Sequence, residues 1–211
     1  MNPPCLLRSD YWIFDLDGTL TVPVHDFAAI RQELGIPDGG DILEHVASAP
    51  AESAVLMRER LRLIEDELAL RTRPAEGALA LLQALRRNGA RMGVLTRNTR
   101  EVALRTLELI GAADCFPEQD VLGRDEARPK PDPDGILALA GRWGADPAAT
   151  VMVGDYLYDL QAGRRAGATT VHVERGPVPR WPELADVVVA GLDELAMLVA
   201  AVQGEPAAVQ G

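Results

Sequence analysis

The chain has 211 residues, enough for one substantial core or for a core carrying a small insert. Its 21 Lys and Arg against 32 Asp and Glu give a formal charge of −11, which excludes a broad nucleic-acid surface and means that any anion-binding site needs local positive charge. Hydrophobic residues make up 47% of the composition, yet no run approaches the roughly 20 apolar residues of a membrane span, so no membrane partner is expected.

The N-terminal Met1–Leu7 lacks a charged start followed by a long apolar stretch, and no export signal is expected there. Cys5 and Cys115 fit neither a metal cluster nor a disulfide framework and suit a reducing cytoplasm. The first structural signal is Tyr11-Trp12-Ile13-Phe14, an apolar run that stops abruptly at Asp15-Leu16-Asp17-Gly18-Thr19. Strand formers give way to turn residues, so a buried strand delivers two carboxylates at its carboxyl end. A capped turn would use the same residue types.

From Val22 to Arg73 the texture is helical, and the segment reads as a small all-helical insert. Phe27, Ile30 and Leu34 share one face of its first helix, which Gly35 and Pro37 stop. Asp41 with Glu44 resembles a capping pair for a second helix. A third runs from about Glu52 to Arg71, with Val55, Leu56, Leu61, Ile64 and Leu68 on one side and Arg58 and Arg62 solvated elsewhere.

After Pro74, helix and strand alternate. A helix over Gly77–Asn88 precedes a strand over Met92–Leu95, which closes on Thr96-Arg97-Asn98. Asn98 or Thr99 caps the next helix, with Val102, Leu104, Leu107 and Ile110 as its apolar positions. Leu122 to Pro133 reads as a loop, stiffened around Lys130 by Pro129 and Pro131. A helix over Ile136–Trp143, a strand over Val151–Val153 ending in Gly154-Asp155, a helix over Asp159–Ala166, and strands at Thr170–Val173 and Val187–Val189 follow. The tail after Gln203 is expected to fray. This alternation predicts an α/β fold: a Rossmann-like, mostly parallel sheet flanked by helices, formed by residues 1–21 and 74–211, with 22–73 inserted after the first strand.

In such a sheet the carboxyl ends of the strands share one edge. That edge would gather Asp15, Asp17, Thr96, Asp155 and Asp159, with Lys130 as countercharge. Four carboxylates need cations to coexist, and Mg²⁺, an oxygen-seeking ion, would both relieve them and attract a phosphate. One aspartate could then attack phosphorus while the other moves protons, with Thr96 and Lys130 on the phosphoryl oxygens.

Four segments, taken in order, resemble the haloacid dehalogenase-like hydrolase superfamily, near its phosphoglycolate phosphatase-like branch. They are Phe14-Asp15-Leu16-Asp17-Gly18-Thr19-Leu20, Val94-Leu95-Thr96-Arg97-Asn98, Pro129-Lys130-Pro131, and Val153-Gly154-Asp155 with Asp159. The resemblance implies Asp15 as nucleophile and Asp17 as general acid and base. It implies Mg²⁺ held by Asp15, the Asp17 carbonyl and Asp155, with Asp159 as an outer ligand that orients Lys130. It also implies phosphate contacts from Gly18, Thr96, Arg97, Asn98 and Lys130, and a small phosphorylated metabolite as substrate. A cytoplasmic monomer or weak homodimer is expected. The same core would serve a phosphomutase of the β-phosphoglucomutase type or a non-catalytic phosphate-binding module. Asp17 disfavours the dehalogenase branch. The insert is shorter than the usual helical cap of phosphoglycolate phosphatases. Tyr156 stands where related sequences often carry Ser or Thr, and His25 lies where the chain enters the insert. His45 and His172 are expected to be structural.

Overall fold

In a computed structural model, residues 8–204 are described; Cys5 and the tail beyond Gly204 lie outside them. Six strands form one sheet: β1 (Tyr11–Phe14), β2 (Arg91–Leu95), β3 (Val121–Leu122), β4 (Thr150–Gly154), β5 (Thr169–Val173) and β6 (Val187–Val189). Their spatial order is β3-β2-β1-β4-β5-β6, with every neighbouring pair parallel. The order reverses beside β1, and both neighbours, β2 and β4, pair with it along Tyr11–Phe14. Ligand clefts in open α/β sheets lie at such a switch point, off the carboxyl ends of the strands.

Burial on both faces explains the continuous apolar strands. Trp12 and Phe14 face one side, where they join Leu81, Leu82 and Leu85 of α4 (Ala78–Arg87), Leu107 of α5 (Arg100–Leu109), and Leu195 and Val199 of α8 (Leu192–Gly204). Ile13 faces the other side with Ile136 and Leu139 of α6 (Asp134–Trp143) and Ala162 of α7 (Leu157–Ala166). Each fully buried large side chain here contributes roughly 1.5–3 kcal/mol.

Before α4 come three helices, α1 (Phe27–Leu34), α2 (Ile42–Ser48) and α3 (Ala51–Ala69), which share their own apolar cluster of Ile30, Leu34, Ile36, Leu61 and Ile64. The segments entering and leaving this group run antiparallel, Val22 N–H donating to Arg73 O at 3.0 Å. Asp26 caps α1, its carboxylate accepting from the N–H groups of Ala28 and Ala29, and Gly35 ends the helix at φ +68°.

Three local readings change. Val121–Leu122 is a two-residue strand rather than the start of a loop, paired with Val94 and Leu95. Phe27 is 53% exposed because it opens α1 and stacks on the His25 ring rather than on Ile30. Val55 and Leu56 are 61% and 73% exposed. At about 100° per residue they lie roughly 120° and 220° around α3 from Leu61, whereas Ala54 falls on the buried stripe. The helix α8 had no counterpart in the sequence reading, although Leu192, Leu195 and Val199 keep helical spacing and are buried.

Candidate active site

Asp15 extends β1 by one residue, its N–H donating to Val153 O at 2.9 Å. The chain then turns back on itself, Thr21 N–H donating to Leu16 O at 3.0 Å. Gly18 makes the turn possible at φ +88°, and a Cβ there would stand 2.5 Å from Asp155 Oδ2. The Arg175 guanidinium, unremarked in the sequence, donates to Gly18 O at 2.6 Å. Gly18→Ala is expected to lower stability by about 1–2 kcal/mol from the positive φ alone, measured by denaturant titration, and to displace the Asp155 carboxylate. On β4, a Cβ at Gly154 would collide with the Asp159 side chain. Glycine there lets the first turn of α7 close onto the strand end.

Lys130 is the electrostatic centre. It is 2% exposed, and its ammonium lies 2.5 Å from Asp15 Oδ1 and 2.6 Å from Asp159 Oδ1. The second Asp159 oxygen accepts from Tyr156 N–H at 3.0 Å, so both its oxygens are engaged. Asp155 Oδ1 accepts from the Thr19 hydroxyl at 3.3 Å. Oxygens of Asp15, Asp155 and Asp159 lie within 4.8 Å of one another. Burial pushes the Asp15 carboxyl well up, and the charges of Asp159, Asp155 and Asp17 add to the effect against the opposing Lys130. Burial and Asp159 likewise push Asp155 to about 6. Lys130 is raised: burial works against its charge, but Asp15 and Asp159 outweigh it. One ammonium therefore does not neutralise the cluster. An all-oxygen donor set with surplus negative charge fits a hard divalent cation.

Asp17 projects beside this group. Its Oδ2 accepts from Asn98 Nδ2 at 2.8 Å, and His25 Nδ1 stands 3.9 Å from Oδ1, too far for a hydrogen bond. Burial raises its carboxyl, against the opposing influence of His25, Lys130 and the Thr96 hydroxyl. Thr96 directly follows β2, buried at 3% exposure, and its hydroxyl accepts from Asn98 N–H at 3.1 Å. Asp15, Asp17, Thr96, Asn98, Lys130, Asp155 and Asp159 thus line one cavity of about 330 Å³.

Arg97 lines it too, but its guanidinium is turned to the helical group, donating to both oxygens of Asp41 at 2.7 Å and stacking 4.7 Å over Tyr158. Asp41 also caps α2; burial opposes its charge, yet the Glu44 N–H and Arg97 hold its carboxyl below the ordinary value. A second tie joins Arg124, after β3, to Glu65 of α3 at 2.6 Å. Tyr156 packs edge-on to Tyr158 and Trp181 at the mouth, 49% exposed. Arg60 pairs with Glu33, and Arg62 with Glu59 and Asp66 at 2.9 and 2.8 Å, on the outside. His172 is fully buried on β5 against Trp181. Nothing in the sequence marked Glu65 or Arg124, because a charged residue on a helix or loop ordinarily reads as solvated.

The family description "haloacid dehalogenase-like hydrolase" matches residues 11–167, most of the chain and every residue of this carboxylate cluster. The chain belongs to the haloacid dehalogenase-like hydrolase family. Among its relatives, a phosphoglycolate phosphatase of Rhodospirillum rubrum is 38% identical over 218 residues, covering 88% of each chain. An N-acetylmuramic acid 6-phosphate phosphatase of Pseudomonas aeruginosa is 30% identical over 78% of this chain and 81% of its own. A hydrolase from Pseudomonas syringae shares the fold of this family member with a TM-score of 0.74 at 26% identity, covering 89% of this chain and 96% of that one. The observed sheet and its flanking helices agree with that likeness. Among the described residues, no helix of this hydrolase-family chain is long and apolar enough to cross a membrane.

Proposed function

We propose that the protein is a Mg²⁺-dependent phosphatase that hydrolyses a small organic phosphate monoester through a phosphoryl group carried on Asp15. The observation that carries this reading is the buried Lys130 shared between Asp15 and Asp159, with Asp155 completing the triad of carboxylates. Relatives described as phosphoglycolate and N-acetylmuramic acid 6-phosphate phosphatases support it.

An Asp15 oxygen attacks phosphorus, and the bond between phosphorus and the ester oxygen breaks. The departing oxygen takes the proton of Asp17, whose raised carboxyl suits a general acid. Asp17, held by Asn98, then takes a proton from water; the water oxygen attacks phosphorus and Asp15 is released. Lys130, Thr96 and backbone N–H groups of the Gly18 turn offset charge on the phosphoryl oxygens. Asp15, Asp155 and the Asp17 carbonyl would hold Mg²⁺, with Asp159 acting through Lys130 and the outer shell. When bound, the ion supplies charge stabilisation for the phosphoryl group. The helices α1–α3, residues 22–73, act as a cap over the site.

A panel of phosphate monoesters assayed with Mg²⁺ and with a chelator tests the reading. Metal-dependent release of inorganic phosphate is expected. An isomerised sugar phosphate formed in place of released phosphate would indicate a mutase, and no turnover of any ester would remove the proposal.

Cation binding should also depend on pH. In the cation-free protein the raised Asp155 favours its protonated form, so its stabilising contribution is present below the ordinary carboxylate range and is lost as pH rises through about 6. Mg²⁺ needs the ionised form. The Mg²⁺-induced rise in Tm is therefore expected to be large at pH 7.5 and to shrink below about pH 6. A pH-independent shift measured by thermal unfolding would contradict the assigned ligands.

A further inference from the structure

The backbone from Asp17 to Thr19 carries three parts of the site: the Asp17 carboxyl, the Asp17 carbonyl assigned to Mg²⁺, and the Thr19 hydroxyl that donates to Asp155 Oδ1 at 3.3 Å. All three turn about Gly18, which lies at φ +88° and, having no Cβ, keeps the widest backbone freedom of the segment. On its N–H side that freedom is checked by the Thr21 hydroxyl, which accepts at 3.4 Å. On its carbonyl side it is checked from outside the turn. The Arg175 guanidinium donates to Gly18 O at 2.6 Å, a charge-assisted bond between residues 157 apart in the chain. Because the Gly18–Thr19 peptide is planar, holding its oxygen also sets where the Thr19 side chain begins.

An exposed arginine on a loose loop would hold little, but the backbone that presents Arg175 is itself fixed. Glu174, which directly follows β5, is 6% exposed and gathers the loop around it. Its Oε1 accepts from Gly176 N–H at 2.9 Å, and its Oε2 from the Arg180 backbone N–H at 3.1 Å and from Arg180 Nε at 2.9 Å. Arg180 in turn donates to the Asp155 carbonyl at 3.3 Å. That carbonyl shares a peptide with Tyr156 N–H, the donor to Asp159 Oδ2. One loop thus places an arginine on each of the two turns that bear the acids. We infer that Arg175 is a positioning residue: through the Gly18 carbonyl it aims the Asp17 carbonyl and the Thr19 hydroxyl at the cation site, without touching cation or substrate. This deepens the phosphatase reading and rests on the Mg²⁺ site assigned there. A role through charge alone has the opposite sign. The guanidinium repels a cation, so removing it would tighten Mg²⁺ binding wherever Asp155 is already ionised, whereas removing the hold on Gly18 loosens it.

The test measures the Kd of Mg²⁺ by calorimetry for the wild-type protein, for Arg175→Met, which removes both charge and donor, and for Arg175→Lys, which keeps both on a similar stem. It is run at pH 8.5, well above the value of about 6 to which Asp155 is raised, so that its ionisation is the same in all three. Arg175→Met is expected to bind Mg²⁺ about tenfold more weakly, the lower end of what loss of an outer partner of a metal site costs, and Arg175→Lys to stay within about threefold of wild type. Thermal unfolding in chelator should leave Arg175→Met within a few degrees of wild type. With p-nitrophenyl phosphate, the Mg²⁺ concentration for half-maximal rate should rise by the same factor, while kcat at saturating Mg²⁺ falls by less than about threefold. A merely structural role would lower Tm and kcat and leave Kd unmoved. An unchanged or tighter Kd in Arg175→Met overturns the inference and leaves the phosphatase reading intact. A wild-type protein that binds Mg²⁺ but cleaves no ester removes the phosphatase reading, and the Kd comparison then decides this inference alone. A wild-type protein that binds no Mg²⁺ removes both.

Discussion

Asp15→Asn is expected to lower kcat by roughly 10⁴–10⁶-fold while leaving the fold in place, since loss of a nucleophile removes an entire reaction path. Asparagine has the shape of aspartate but cannot carry the phosphoryl group. Burial and three neighbouring carboxylates already disfavour the ionised Asp15, so removing its charge relieves repulsion even as it weakens one ion pair of Lys130. Thermal unfolding should therefore place the variant within a few degrees of wild type, and steady-state assays on any accepted ester should show the loss of turnover. Retained activity would reassign the nucleophile.

Lys130→Met should produce the largest loss of stability. Methionine approximates the length of the lysine stem, so the change is chiefly electrostatic. It leaves Asp15 and Asp159, 8% and 2% exposed, without the ammonium that each now touches. Removing one partner from a buried ion pair costs about 3–5 kcal/mol. For a chain of this size that corresponds to a fall in Tm of roughly 6–20 °C. The sign with pH follows from two shifts. Lys130 is raised in the fold, so its contribution is fully present below the ordinary lysine value and is lost only as pH rises beyond it. Asp15 is raised by burial and its acidic neighbours against the opposing Lys130, so in the variant it takes up a proton more readily and the deficit narrows as pH falls from 7.5 towards 5. Mg²⁺ should restore part of the loss. Denaturant titrations at the two pH values check this, and a variant as stable as wild type at pH 7.5 would contradict the account.

The sheet was legible because three of its central strands announce their ends. Phe14-Asp15, Leu95-Thr96 and Gly154-Asp155 each pass from apolar strand to polar turn, and parallel pairing brings those boundaries to one edge. β3 was not legible: two residues carry no periodicity, and Val121–Leu122 is a strand only because Val94 and Leu95 lie alongside. Helices α1 to α3 could be read from spacing and caps, including the Asp41 cap on α2. Their placement could not, because it depends on Arg97 meeting Asp41 and Arg124 meeting Glu65, pairs separated by 56 and 59 residues. Surface-type residues held by distant partners leave no local trace. Arg97 illustrates this. Its position beside Thr96 points to phosphate, whereas its guanidinium holds the helical group.

In the proposed reaction the phosphoryl group is carried on Asp15, and the Asp17→Asn protein should hold it there. Its first step still proceeds with p-nitrophenyl phosphate, whose leaving group needs little help from an acid, while its second step lacks the base that activates water. Quenching that reaction in the presence of Mg²⁺, trapping acyl phosphates with hydroxylamine and mapping the modified peptide by mass spectrometry should place the label on Asp15, with a burst of p-nitrophenol equal to the labelled fraction. A label on another residue, or turnover without any burst or trapped adduct, would contradict the account.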